Sequence, residues 1–205
     1  MTETPTVIVV DDDPLIREAL GGLMRSVGVR AKTLASVSEF LEEERSDGPT
    51  CLVLDVRLPG RSGLDLQREL ATSNIKIPII IITAHGDIPM SVRAMKEGAI
   101  DFLTKPFRDQ DLLDAIQAGL EQDRARLENE KTITVLRARF ETLTSREREV
   151  MAIVVTGRLN KQIAADIGVS EITVKVHRGN VMRKMRASSL PDLARMADKL
   201  NLARE

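Results

Sequence analysis

The sequence predicts a parallel α/β domain followed by a smaller, all-helical domain. Three observations carry that reading. Short apolar runs alternate with helix-period segments over residues 1–119, the runs end in Asp, Thr or Lys, and the charge balance changes sign along the chain.

Val7 to Val10 is the first predicted strand and leads into Asp11-Asp12-Asp13. Pro14 to Val27 follows as a helix, because Leu15, Ile16, Ala19, Leu20, Leu23, Met24 and Val27 recur at helical spacing; Pro14 is tolerated in a first turn and Gly28 stops it. A second strand at Arg30 to Leu34, a helix from an Ser36 N-cap to about Glu44, and a third strand at Cys51 to Leu54 come next, the last running into Asp55. Three further helices, Leu64 to Ala71, Met90 to Glu97 and Gln110 onward, flank strands at Ile79 to Ile82 and Asp101 to Leu103. The fourth strand ends at Thr83 and the fifth is followed by Lys105-Pro106. In a parallel sheet the carboxyl ends of the strands face one crevice, so acids, hydroxyl and lysine converge on a single pocket suited to a metal ion and a phosphoryl group.

With 42% hydrophobic and 30% charged residues, the composition excludes a disordered chain. The apolar runs fall far short of the ~20 residues a membrane helix needs, and the N-terminus lacks a basic-then-apolar signal region, so no membrane is expected and the chain is placed in the cytoplasm. A single cysteine, Cys51, forms no internal disulfide and reads as a buried thiol. Residues 1–119 carry a charge balance of -6, residues 120–140 of +1 and residues 141–205 of +4. A basic second domain points to a polyanionic partner, nucleic acid.

The dispersed signature Asp11-Asp12, Asp55 with Pro59 and Gly63, Thr83-Ala84 and Lys105-Pro106 makes residues 5–120 resemble the receiver domain of bacterial response regulators, with the domain bounded at 1–119. The resemblance implies a flavodoxin-like fold, a five-stranded parallel sheet of order 2-1-3-4-5. It also implies a cis peptide at Lys105-Pro106.

Two carboxylates ~4 Å apart repel by ~4 kcal/mol at an effective dielectric of 20, so clustering Asp11, Asp12 and Asp55 calls for a cation among them. Oxygen-only ligands select a hard ion, Mg²⁺ with Mn²⁺ as its substitute. By resemblance, Asp12 and Asp55 ligate it directly, Asp11 acts largely through water, and the Arg57 backbone carbonyl completes the set. Asp55 is then the phosphoacceptor, attacking phosphorus to form an aspartyl phosphate. The resemblance gives Lys105 an ion pair with the phosphoryl oxygens, Thr83 a hydrogen bond to one of them, and Phe102 the aromatic half of a hydroxyl-aromatic switch. The donor it implies is a sensor histidine kinase, and the chain itself is no enzyme beyond this self-phosphotransfer.

Residues 120–140 continue the helical pattern as a linker helix with weak pairing ability, since Leu113, Ile116, Leu120 and Leu127 fall at coiled-coil spacing but Asp123 and Glu130 interrupt the seam. In residues 141–205 four short helices are expected. Thr144-Ser145 with Glu147 opens the first and Gly157 ends it; Lys161 to Ile167 is the second, stopped by Gly168; Ser170 caps the third, through about Met185; Pro191 opens the fourth. Helix, glycine turn, helix is the organisation of a helix-turn-helix.

Leu143 to Val150, Asn160-Lys161-Gln162-Ile163-Ala164 and Thr173-Val174-Lys175-Val176-His177-Arg178 resemble the LuxR-type output domain, so that the whole chain resembles a FixJ-like regulator. In the third helix Ile172, Val174, Val181 and Met185 are expected in the core and Thr173, Lys175, Val176, Arg178 and Asn180 on the groove side. Family matching favours Lys175 and Val176 as groove contacts, with Arg178 reading guanine and Lys161 and Ser170 on the DNA backbone. The chain has no Trp or Tyr, and Phe40, Phe102, Phe107 and Phe140 lie outside the third helix, so stacking on single strands is disfavoured and duplex DNA is the expected partner. A lone helix-turn-helix binds weakly, so phosphorylation is expected to pair two chains on half-sites ~34 to 36 Å apart, through the receiver's last strand and helices, with RNA polymerase as a further partner. The alternative is an aspartate-based phosphohydrolase with Asp11 as nucleophile and Asp13 as acid-base.

Overall fold

The computed structural model describes residues 4–44 and 47–202. The chain divides into two compact units, Met1–Leu127 and Glu128–Glu205.

In the first unit, strands β1 (Thr6–Val10), β2 (Arg30–Leu34), β3 (Thr50–Asp55), β4 (Ile79–Thr83) and β5 (Asp101–Thr104) alternate with helices α1 (Pro14–Ser26), α2 (Val37–Glu42), α3 (Gly63–Thr72) and α4 (Ile88–Lys96). Helix α5 (Asp109–Glu141) gives its first part to this unit. The sheet is parallel throughout, in the order β2-β1-β3-β4-β5, as expected.

Alternation along the strands builds two cores. Ile8, Val10, Leu52, Leu54, Ile79 and Ile81 pack on one face with Val37 and Phe40 of α2, Leu64, Leu66 and Leu70 of α3 and Ala94 of α4. Val7, Val9, Cys51, Val53, Ile80 and Ile82 pack on the other with Leu20 and Met24 of α1 and Leu112, Ile116 and Leu120 of α5. Both faces being covered explains why the central strands read as unbroken apolar runs, and each fully buried aliphatic side chain contributes about 1.5–3 kcal/mol. Asp13, Ser36, Ser62 and Asp87 cap α1 to α4 through their side-chain oxygens, so each helix starts where its polar cap can accept a backbone N–H. Leu15, expected in the apolar stripe of α1, is exposed, because the first turn stands at the strand ends rather than over the sheet.

In the second unit, the last part of α5 joins α6 (Ser145–Val154), α7 (Asn160–Ile167), α8 (Glu171–Met185) and α9 (Leu190–Lys199). They share a core of Leu136, Leu143, Val150, Met151, Val154, Ile163, Ile167, Val174, Val181, Met185 and Leu193. Thr144 and Glu147 form a capping box at α6, and Gly168 ends α7 in the left-handed region at φ 69°. Ile172 corrects an expectation: instead of joining the core it is 77% exposed. One helical turn separates it from Val176, and the buried face of α8 runs instead through Val174, Val181 and Met185.

Candidate functional site

The carboxyl ends of β1, β3, β4 and β5 bring Asp11, Asp55, Thr83 and Lys105 to one end of the sheet. Asp11 is 1% exposed and Asp55 5%, unusually deep for carboxylates. The ammonium of Lys105 lies between them, donating to Asp11 Oδ2 at 2.6 Å and to Asp55 Oδ1 at 2.8 Å. The other oxygens are used by backbone: Asp55 Oδ2 accepts from the Arg57 N–H at 2.6 Å, and Asp11 Oδ1 from the Asp13 N–H at 3.0 Å. The Lys105-Pro106 peptide is cis.

Burial pushes the Asp55 carboxyl up from its ordinary value, against the pull of Lys105 and the Arg57 N–H, and Asp11 adds to the rise. Burial alone would lower Lys105, but its bonds to Asp11 and Asp55 outweigh burial and hold the ammonium above its ordinary value. One cation therefore serves two anions, which leaves the pair short of positive charge.

Asp12 is exposed, and Asp13 is given over to the start of α1, where its Oδ1 accepts from the Leu15 N–H at 2.8 Å. That use of Asp13 speaks against its acid-base role in the phosphohydrolase reading. Among the described residues no group of three or more His, Cys, Asp or Glu side chains is already arranged to hold a metal. The donors are nonetheless all oxygens, two are nearly buried, and they hold a single ammonium between them, so their chemistry fits a hard cation.

Thr83 is 1% exposed and its Oγ1 accepts from the His85 N–H at 3.2 Å. Phe102, half-buried, packs against the first core, and pairing of Ile81 with Phe102 and Thr83 with Thr104 puts Thr83 and Phe102 on the same face of the sheet. Two supporting residues escaped the sequence reading. Arg17 donates to the carbonyls of Asp11 and Asp12 at 2.7 and 2.8 Å, and its signal was a cation in the first turn of α1, where the helix dipole disfavours one. Gly86 lies under Phe102 and Thr104, a contact no local pattern announces.

In the second unit, Lys161, Ser170, Lys175 and Val176 are exposed and Thr173 is half-buried. The Ser170 hydroxyl lies 2.8 Å from that of Thr173 and accepts from the Thr173 N–H at 3.1 Å, capping α8. Arg178 donates to Asn160 Oδ1 at 3.1 Å and so ties α8 to α7, while Asn180 Oδ1 accepts from Arg183 at 3.3 Å. His177 is half-buried, as a packed helix residue.

Residues 7–117 match the family described as "Response regulator receiver domain", and residues 141–197 that described as "Bacterial regulatory proteins, luxR family". "Nodulation protein W" of Bradyrhizobium diazoefficiens is 57% identical over 197 residues, 96% of this chain and 87% of that protein. The response regulator StyR superposes with a TM-score of 0.83 at 49% identity, covering 96% of this chain and 99% of its own. Full-length FixJ from B. japonicum gives a TM-score of 0.57 at 36% identity, covering 98% of this chain and 99% of its own.

Proposed function

We propose that in this chain, which belongs to the FixJ-like two-component response regulators by its receiver and LuxR-family domains, Asp55 accepts the phosphoryl group that controls the DNA-binding unit. The chain regulates transcription in a phosphorylation-dependent way. The observation that carries the assignment of Asp55 is its place at a strand end, nearly buried yet bonded to the ammonium of Lys105.

A carboxylate oxygen of Asp55 forms the new bond to phosphorus as the donor's phosphorus-to-leaving-group bond breaks, the leaving group taking that electron pair. Asp11, Asp12, Asp55 and the Arg57 carbonyl would hold Mg²⁺, which when bound offsets charge on the transferring oxygens. Lys105 would then exchange its contact with Asp55 Oδ1 for the phosphoryl oxygens. Thr83 would turn its hydroxyl from the His85 N–H to donate to one of them, and Phe102, on the same face, would follow it inward. Chemistry at Asp55 ends with transfer, so the chain acts as a regulator and not as a turnover enzyme.

A sensor histidine kinase supplies the phosphoryl group in this reading, which places the chain in the cytoplasm with its DNA. Residues 1–119 serve as receiver, 120–140 as linker and 141–205 as output domain. Phosphorylation pairs two chains, and α8 enters the major groove of duplex DNA, with Lys161, Ser170, Thr173, Lys175, Val176, Arg178 and Asn180 on that side. RNA polymerase is the further contact through which transcription responds. Incubation with Mg²⁺ and a small phosphodonor tests the reading: stoichiometric label on Asp55, lost in Asp55→Asn, with a shift to dimer. Label on Asp11 with multiple turnover would overturn it.

A further inference from the structure

We infer that Ile172 and Val176 read thymine methyl groups on the floor of the major groove, so that the operator half-site carries thymine under each of these side chains. The inference rests on α8 being the groove helix, as proposed above, and goes beyond it by naming the base and the atoms read.

Ile172 is 77% exposed and Val176 58% exposed, and four residues apart on α8 they form one apolar ridge. Large aliphatic side chains in water gain nothing in the free protein, and β-branched residues lower helix propensity as well. Ile172 is the second residue of α8, and the N-terminal residues of a recognition helix are the ones that reach base edges. One turn beyond Val176, a Cβ on Gly179 would meet nothing within 4 Å among the described residues, so the space at that end of the ridge is open.

The chemistry of the groove then selects the ligand. Among the four bases thymine alone displays a methyl group in the major groove; the other edges offer hydrogen-bond donors and acceptors or, at cytosine C5, a bare C–H with less apolar surface to contact. The polar side chains of α8 are in part already occupied: Thr173 with Ser170, Arg178 with Asn160 and Asn180 with Arg183. Lys175, exposed beside the ridge, supplies charge toward phosphate or guanine, but an ammonium cannot distinguish a methyl group. Discrimination at the positions under the ridge therefore falls to apolar contact.

The test is selection by the full-length chain, given Mg²⁺ and a small phosphodonor, from two duplex libraries with a random core. One is made with thymine and the other with deoxyuridine, which keeps every hydrogen-bonding edge and lacks only the methyl. Enriched duplexes are then titrated against wild type and Ile172→Ser, a surface change whose fold is checked by circular dichroism. The expected result is a thymine preference at two positions per half-site, about fourfold weaker binding for each methyl removed, and an Ile172→Ser protein indifferent to one of those methyls. Equal binding of thymine and deoxyuridine duplexes by wild type, or unchanged discrimination by Ile172→Ser, overturns the inference while leaving α8 as the groove helix. If neither library enriches any sequence, the groove reading of α8 falls and the inference falls with it.

Discussion

A Cβ on Gly63 would lie 2.1 Å from the carbonyl oxygen of Asp55, so the start of α3 touches the backbone of the proposed phosphoacceptor with no room for a methyl group. The Gly63 N–H also donates to the Val56 carbonyl at 3.0 Å, fixing the helix to the end of β3. Since the obstructing atom is backbone, it yields only by moving Asp55 itself. Gly63→Ala is expected to cost about 1–3 kcal/mol in a urea melt and to reduce phosphoryl acceptance at least tenfold. Wild-type stability together with wild-type labelling would refute the contact's importance.

Among the described residues Lys105 is the one cation bonded to both Asp11 and Asp55, and replacing it by Met leaves two nearly buried carboxylates without their ammonium. Breaking such a pair from one side costs ~3–5 kcal/mol. Lys105→Met should therefore melt well below wild type, and millimolar Mg²⁺ should recover part of the loss. The check is a pair of thermal melts with and without the ion. If Mg²⁺ shifts both proteins equally, the carboxylates are not competing for a cation.

The first domain was legible because its signals are local and redundant. Ile79 to Ile82 can be little other than a buried strand, and the polar residue that ends each run marks the crevice directly. Polar caps likewise placed the helix starts to within a residue or two at Ser36, Thr144 and Ser170. What escaped depends on atoms distant in sequence: Gly86 under Phe102, Arg178 on Asn160, and the turn of α8 that takes Ile172 out of the core. Periodicity gave Ile172 and Val174 equal claim to the buried face, and only packing against α6 and α7 decides between residues so near in register.

Glu147 gives the second domain an acid-sensitive anchor. Burial alone would raise its carboxyl, but the Lys184 ammonium at 2.6 Å and the Thr144 N–H at 2.8 Å outweigh burial and hold it below the ordinary glutamate value of 4.5. A folded-state pKa lowered in this way stabilises above the unfolded value and loses that contribution as pH falls through the folded one. Glu147→Gln should thus be less stable than wild type at neutral pH, and the difference should shrink as pH drops below about 4.5. Parallel melts across that window check it, and a gap that stays constant or widens toward acid contradicts the sign.

Cys51 reports on folding. Burial, assisted by the nearby charge of Asp123, pushes its thiol up to about 12, and the side chain is fully enclosed between the sheet and α5. A Cβ on Gly119 would lie 2.7 Å from its sulfur, so the helix presses directly on it. Since the thiolate is the reactive form, alkylating reagents at neutral pH should modify native protein only at the rate of unfolding and denatured protein at once. Rapid, stoichiometric modification of the native chain would contradict this burial. Gly119→Ala should raise the native rate, because the added methyl forces the helix and the thiol apart.

Gly86→Ala is predicted to separate the phosphorylation step from its readout. A Cβ there would lie 2.8 Å from Phe102 Cε1 and 2.7 Å from Thr104 Cγ2, so an alanine must displace the ring, the threonine methyl or the loop that carries it. None of these atoms belongs to Asp55 or Lys105. Gly86→Ala is therefore expected to take up phosphoryl label within about twofold of wild type, while the gain in DNA affinity on phosphorylation falls, because an aromatic ring with its neighbouring space altered no longer reports the hydroxyl of Thr83. Label stoichiometry and DNA titrations with and without phosphodonor separate the two effects. An undiminished gain in DNA affinity would show that Phe102 moves without regard to the space beside Gly86.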